Sequence, residues 1–287
     1  MRPHCLAFDA IGTGWQLDTA EPVSADLERA IRQRIETFDR TWSRFRGDSL
    51  VSRLAATPGV YEFPDDAPAL FDLYRRLYDA TDAAVSPLVG TALESLGYDR
   101  TYSLRASAHP APVPAWADAI AWDGHALTTV RPVCLDVGAA GKGYLVDIVS
   151  ELLHEGGHSE FIVDGSGDIR HHGPSIIRVG LEHPWDASKA IGIANVGEGA
   201  ICSSATNRRA WGDGLHHVID ATTGLPTHGI VATWAIAATA LVADGLATAL
   251  FFADPARLAE SFDFTFARMH STGRVEYSPH LDGEMFI

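Results

Sequence analysis

The chain has 287 residues, enough for one large domain or two modest ones at roughly 150 residues each. Hydrophobic residues make up 46% and charged residues 21%, which excludes a disordered tail, a fibrous repeat and a charge-rich coiled coil. With 37 acidic against 22 basic residues the formal charge is −15, so nucleic acid and anionic lipid are poor partners, and a small phosphate ligand needs a metal or local donors.

The N-terminus, MRPHCLAFDAIGTGW, shows no basic stretch followed by an apolar run and a cleavage site, and Cys5 lies too early for lipid attachment behind one. Gly12-Thr-Gly14 lacks a third glycine and is weak as a dinucleotide fingerprint. Ser24 is placed to cap a helix whose apolar positions are Leu27, Ile31, Ile35, Phe38 and Trp42. A second helix is predicted after Asp65 or Asp66, with Leu70, Leu73, Tyr74, Leu77 and Tyr78 on one face. The proline-rich stretch Ala106–Pro114 reads as a loop, either between subdomains or as a surface excursion.

Val133–Val137 is predicted as a short strand leading through Gly138-Ala-Ala-Gly141 into a helix that Gly156-Gly157 ends. Further strands are expected at Glu160–Asp164, Ile176–Leu181, Ile191–Val196, His217–Asp220 and Ile230–Ala237, then a helix near Leu241–Phe252. A terminal hairpin pairs Phe264–His270 with Arg274–Tyr277. Long helices early, strands late and no βαβα alternation give an α+β fold rather than a doubly wound sheet. The apolar stretch from Ile230 to Phe252 is interrupted by Asp244, Gly245 and several threonines, which fits a buried strand and helix better than a membrane span. Cys5, Cys134 and Cys202 have no CxxC spacing, so neither a disulfide framework nor a cysteine-zinc site is expected. The expectation is a soluble, cytoplasmic protein.

Leu135-Asp-Val-Gly-Ala-Ala-Gly-Lys-Gly-Tyr144 reads either as a helix start that presents N–H groups and Lys142 to an anion, or as an ordinary connection. It is not a Walker A loop, because Gly143 stands where a magnesium-binding Ser or Thr is needed. Asp164-Gly-Ser-Gly-Asp168 reads as a turn with Asx-type hydrogen bonds ahead of a metal loop. Asp244 and Thr248 share a helix face among Ala, Leu and Phe neighbours. A carboxylate buried there needs a cation or several donors, so the pair fits Mg²⁺ ligation or, equally, a cap or tertiary salt bridge. His216 and His217 alternate along a predicted strand, so only one of them can face a site, and a structural role remains open for both.

In chain order these segments resemble the FAD:protein FMN transferase, or ApbE, family from about Ala7 to Phe252. Ile11-Gly-Thr13 is similar to its Met-Gly-Thr opening, and Trp42–Leu54 to its aromatic and Ser-x-x-Ser-Arg-Leu stretch. Asp136–Asp147 resembles D-L-G-x-x-A-K-G-Y-x-x-D, Asp164–Ile169 resembles N-x-G-G-D-I, and Ala200–Arg209 resembles A-x-x-T-S-G-x-x-x-R. His217–Gly224 looks like H-I-I-D-P-x-T-G, and Ala243–Leu250 matches A-D-A-L-A-T-A-L in all but one position.

The resemblance implies an ApbE-like α+β fold over the whole chain as a single domain, with mixed or antiparallel sheets flanked by helices. It implies that Mg²⁺ and FAD bind, and that FMN moves to a Thr or Ser hydroxyl of an acceptor flavoprotein with release of AMP. By position, Asp244, Thr248 and the Ala139 carbonyl are the implied Mg²⁺ ligands. Ile11, Phe45, Ala84, Val85, Ser86, Asp136, Lys142, Ser203, Ser204 and His217 are the implied FAD contacts. His217 and Asp244 are the implied catalytic groups, one of the nearby carboxylates or His217 taking the hydroxyl proton. The chain departs from the pattern at Ile11, at Ala83-Ala-Val-Ser86 in place of Gly-x-Phe-Asp, at Ser166, at Ser203-Ser-Ala205 and at Ala221. The same site with water as the nucleophile would be an FAD pyrophosphatase, and the altered Ala84-Val85-Ser86 also fits an FAD binder without turnover.

Overall fold

The computed structural model describes residues 4–286. Its backbone is an eight-stranded sheet in which spatial order equals chain order. The strands are β1 (His4–Ala10), β2 (Thr13–Thr19), β3 (Phe161–Asp164), β4 (Asp168–His172), β5 (Gly199–Ala205), β6 (Ile230–Ala237), β7 (Thr265–His270) and β8 (Val275–Tyr277). Every neighbouring pair is antiparallel. Antiparallel order lets the chain leave the sheet for a long excursion and return to the next position without a crossover helix.

Four helices matter for the site: α1 (Ala25–Trp42), α2 (Ala67–Ala80), α3 (Gly141–Glu155) and α4 (Ala240–Ala249). They cover one face of the sheet. Side-chain alternation separates the two cores: Ala200 and Cys202 of β5 and Ala235 and Ala237 of β6 join the helical core. Ile201, Ala232 and Trp234 point the other way, onto a second apolar cluster formed with the three-stranded sheet of Ile177–His183, Asp186–Val196 and Gly283–Met285. Helices, main sheet and small sheet therefore form three layers. A further small sheet of Gly59–Glu62, Ala126–Thr129 and Ile120–Trp122 flanks the helices through a stack of Trp42, Phe63, Phe71 and Trp122.

The α+β expectation holds, and so do the four long helices. Ser24 caps α1 by accepting the Leu27 N–H at 3.2 Å. Asp66 stands at the N-cap of α2 without a capping hydrogen bond. Residues 106–114 are irregular, as their prolines require.

Three expectations fail. Val133–Val137 is not a strand: its backbone runs past the loop after α2, where the Asp136 N–H donates to the Pro87 carbonyl at 2.8 Å and no ladder partner is alongside. His217–Asp220 is broken into the two-residue pairings Leu215–His216 and Ile219–Asp220, with a bend at His217 between them. Strands also do not only cluster late. The β1–β2 hairpin precedes every helix and forms one edge of the main sheet. Its signal was present in the alternation of Leu6 and Phe8, then Trp15 and Leu17, around Ile11-Gly12.

Candidate functional site

A cleft of about 1060 Å³ opens where the helical layer meets the ends of the strands. That is at the upper end of small-molecule pockets, roughly 300–1,000 Å³. Every residue implied as an FAD contact, Mg²⁺ ligand or catalytic group borders it. Ile11 enters from the β1–β2 turn, Phe45 from the segment after α1, and Ala84, Val85 and Ser86 from the loop after α2. Asp136, Ala139 and Lys142 come from the approach to α3, Ser203 and Ser204 from β5, His217 from the broken strand, and Asp244 and Thr248 from α4.

The charged end of the cleft lies between α3 and α4. Thr239 caps α4 by accepting the Val242 N–H at 3.3 Å. The Asp147 carboxylate of α3 accepts the Ala240 and Leu241 N–H groups at 2.9 and 2.7 Å, a favourable charge at a helix N-terminus. At Gly143 the two helices are in direct contact. A Cβ there would lie 2.2 Å from the Ala240 carbonyl oxygen and 2.6 Å from Asp244 Cβ. Only glycine lets the Gly143 N–H donate to Asp244 Oδ2 at 2.8 Å.

The first turn of α3 is thus not a bare anion cradle. Gly141 N–H is taken by the Val137 carbonyl, Gly143 N–H by Asp244, and Lys142 Nζ lies 2.6 Å from Asp168 Oδ2. Burial drives the Asp244 carboxyl well above its ordinary value, and the neighbouring Asp168 charge pushes the same way, with Lys142 opposing. Burial alone would lower Lys142, but Asp168 and Asp244 outweigh it and hold the ammonium protonated.

Two buried carboxylates therefore share one cation. Asp168 is fully buried, and neither of its oxygens has a hydrogen-bond partner; the Lys142 contact is an ion pair outside hydrogen-bond geometry. Beside them, Thr248 Oγ1 donates to the Ala139 carbonyl at 3.3 Å. Among the described residues no cluster of three His, Cys, Asp or Glu side chains forms a metal site. The donor set here is of a different kind, one carboxylate, one hydroxyl and one carbonyl, all hard oxygens of the type Mg²⁺ takes while keeping waters. A buried Asp244 carboxyl that the single Lys142 ammonium, shared with Asp168, does not keep ionised, together with this oxygen set, fits such a cation.

The other end of the cleft is aromatic. Arg44, 3% exposed, places its Nε 2.5 Å from Asp136 Oδ2 and its guanidinium over the Phe45 ring at 4.2 Å and the Tyr98 ring at 5.0 Å. Both terminal guanidinium nitrogens lack hydrogen-bond partners, so the rings cover them. Burial opposes ionisation of Asp136, but the Arg44 charge and hydrogen bond overcome it and hold the carboxylate below its ordinary range. The Asp136 Oδ1 also accepts the Gly138 N–H at 2.7 Å.

His216 is structural, its Nε2 3.0 Å from the Thr227 carbonyl, whereas His217 borders the cleft with a buried Nδ1 that has no partner. Burial, then the Arg209 and His216 charges, push His217 down to about 4, so the imidazole is neutral at physiological pH. The loop after α2 is tied to this segment, Ala221 N–H donating to the Ala84 carbonyl at 2.9 Å. On β5, Ser203 Oγ lies 3.4 Å from the Gly167 carbonyl. The Asp164 turn carries the expected Asx-type bond, Gly167 N–H to Asp164 Oδ1 at 2.8 Å.

Sequence reasoning assigns no site role to Asp168, although it lies in that turn and in the ApbE-like segment, nor to Arg44, Arg209 and Tyr102. A charged residue immediately before an aromatic, as in Arg44-Phe45, was the available signal for one of them. Along the cleft wall Arg44, Arg46, Lys142, Arg208 and Arg209 slightly outnumber Asp39, Asp136, Glu182 and Asp244, against −15 for the whole chain.

The ApbE family profile matches residues 11–266, a span that contains every wall of this cleft. The chain belongs to the ApbE family. It is similar to the FAD:protein FMN transferase of Salmonella typhimurium, with 26% identity over 274 residues that span 85% of this chain and 77% of the relative. The FAD:protein FMN transferase of Vibrio cholerae is also 26% identical, over 85% of this chain and 80% of its own. Among solved structures, the ApbE protein of Thermotoga maritima superposes with a TM-score of 0.83 at 22% identity, covering 97% of both chains. The flavin transferase ApbE of Vibrio cholerae gives 0.79 at 21% identity over 96% of this chain and 97% of that one. These two likenesses establish the shared ApbE fold.

Proposed function

We propose that this ApbE-family chain is an Mg²⁺-dependent transferase that moves FMN from FAD to a threonine or serine hydroxyl of an acceptor flavoprotein and releases AMP. The observation that carries this reading is the convergence of Asp244, Thr248 and the Ala139 carbonyl beside Lys142 in a cleft of dinucleotide size. The names of the relatives support the same reaction. The chain is read as one catalytic domain.

Asp244, Thr248 and the Ala139 carbonyl would hold the Mg²⁺, which when bound neutralises pyrophosphate charge on the AMP leaving group. Lys142, kept protonated, adds a fixed positive charge at the same place. Asp136, kept ionised, accepts hydrogen bonds from FAD, and Phe45 lies near the flavin or adenine. Ile11, Ala84, Val85, Ser86, Ser203 and Ser204 complete the wall along which the dinucleotide lies.

The acceptor hydroxyl oxygen attacks the FMN phosphorus. A phosphorus–oxygen bond forms to the acceptor, and the bond to the bridging pyrophosphate oxygen breaks with its electron pair leaving on AMP. The hydroxyl proton passes to a base, either neutral His217 or one of the nearby carboxylates.

The test incubates the protein with FAD, Mg²⁺ and a candidate acceptor, and follows acceptor mass and AMP. One FMN added per AMP released is the expected result. AMP without an adduct makes the protein an FAD pyrophosphatase, and saturable FAD binding with neither product makes it a binder.

A further inference from the structure

The aromatic end of the cleft contains one ring that the reaction above does not use. Tyr102 lies parallel to Phe45, with centroids 5.2 Å apart and planes 3° apart, and meets Tyr98 edge-on at 5.5 Å. Tyr98 is 5% exposed and Trp211 7%, whereas Tyr102 borders the cleft and is 54% exposed. It is the ring of this cluster with a face open to a ligand.

Holding it there is costly. Tyr102 and Leu104 have φ of 50° and 53°, left-handed conformations that bulky side chains disfavour. Tyr102 N–H donates to the Asp99 carbonyl at 3.0 Å and Leu104 N–H to the Gly97 carbonyl at 2.8 Å. The Asp99 carboxylate takes the Thr101 and Ser103 N–H groups at 2.8 and 3.1 Å. Beneath the turn, a Cβ on Gly97 would lie 2.3 Å from Arg105 N, so the turn seats directly on a glycine. The surrounding bonds over-determine a strained turn whose product is an exposed phenol at the cleft mouth.

We infer that Tyr102 is a flavin-binding residue, the outer aromatic wall on which the isoalloxazine ring stacks next to Phe45. The inference rests on the FAD reading above. The phenol is electron-rich and the isoalloxazine electron-poor, so their faces attract. The segment Ala84-Val85-Ser86, which also borders the cleft, offers no ring that could take this role. Arg44 over the Phe45 ring and the parallel Phe45–Tyr102 pair hold Phe45 in the cluster, and Tyr102 is its exposed ring.

The experiment titrates wild-type protein, Tyr102→Ala and Tyr102→Phe with FAD and separately with ADP, in Mg²⁺, reading flavin fluorescence and binding heat. ADP carries the diphosphate and adenosine without the isoalloxazine. Tyr102→Ala should weaken FAD about tenfold or more and leave ADP within about twofold, and Tyr102→Phe should bind FAD like the wild type. Equal losses for both ligands, or no loss for FAD, would overturn the role of Tyr102. A wild-type protein that binds ADP but shows no preference for FAD overturns it as well. Wild-type protein that binds neither ligand instead overturns the flavin reading on which the inference rests.

Discussion

The two ends of the cleft are built differently. The charged end is carried by two packed helices, with Asp244 and Thr248 on α4 and Lys142 on α3, and their separation is fixed at Gly143, where the helices touch. The aromatic end is carried by connections: the segment after α1, the loop after α2, the Tyr102 turn and the broken strand around His217. Several residues there sit at left-handed φ without being glycine: Asp82 at 50°, Ala83 at 70°, Tyr102 at 50° and Leu104 at 53°. Of the departures from the ApbE pattern, Ala83-Ala-Val-Ser86 falls on the same side and Ile11 and Ser166 lie in tight turns, with φ values of 45° and 62°, whereas Ser203-Ser-Ala205 lies on β5.

The difference follows from the forces involved. Oxygen donors around a cation must be held within tenths of an ångström, which packed helices do. Ring stacking tolerates offsets of more than an ångström, so another loop can supply the ring.

The largest test of this contrast is Asp244→Ala. It should lower Mg²⁺-dependent AMP release from FAD at least about 100-fold, measured by chromatography, while truncations in the loops cost less. Retained activity would remove the charged end from the chemistry. Gly143→Ala probes the helix contact directly: its Cβ meets the Ala240 carbonyl, and overpacking of this kind costs about 1–3 kcal/mol, read as a lower urea midpoint.

On the loop side, His217 gives a pH signature. Its proton affinity is lowered from an ordinary 6.5 to about 4 in the folded protein, so between those values the unfolded chain binds more protons. Stability should therefore fall as pH drops from 6.5 towards 4 and be insensitive to this group above 7. From pH 7 to pH 5 the loss is on the order of 1–2 kcal/mol, and His217→Gln should remove that part of it in denaturant titrations. The smallest effect is expected of Ala83→Gly. Relief of the left-handed backbone, offset by glycine's entropy, should stabilise the fold by at most about 1 kcal/mol.

Legibility in the sequence follows the same division. Helices with three- and four-residue apolar spacing were readable, because their burial is periodic: Ile31, Ile35, Phe38 and Trp42 of α1 are all buried as expected. The segment Val133–Val137 is as apolar as a strand, but apolar composition reports burial and not ladder partners, and its partner is a loop. Asp168 was hidden for a related reason. Its neighbours Gly165, Ser166 and Gly167 mark a turn, and nothing local says that the aspartate after the turn faces Lys142 rather than solvent.

Taken alone, the sequence determined the α+β class, the main helices and, through ordered motif resemblance, the ApbE family and the residues that gather in the cleft. These depend on periodicity and on residue types at fixed spacing, which are local properties of the chain. Tertiary structure alone decided that Asp168 and Asp244 share Lys142, that Arg44 holds Asp136 and the aromatic stack, and that Gly143 sets the distance between α3 and α4. It also decided where the charge of −15 is locally reversed. Those outcomes depend on contacts between residues far apart in the chain, and on burial that turns a solvated charge into one needing a partner.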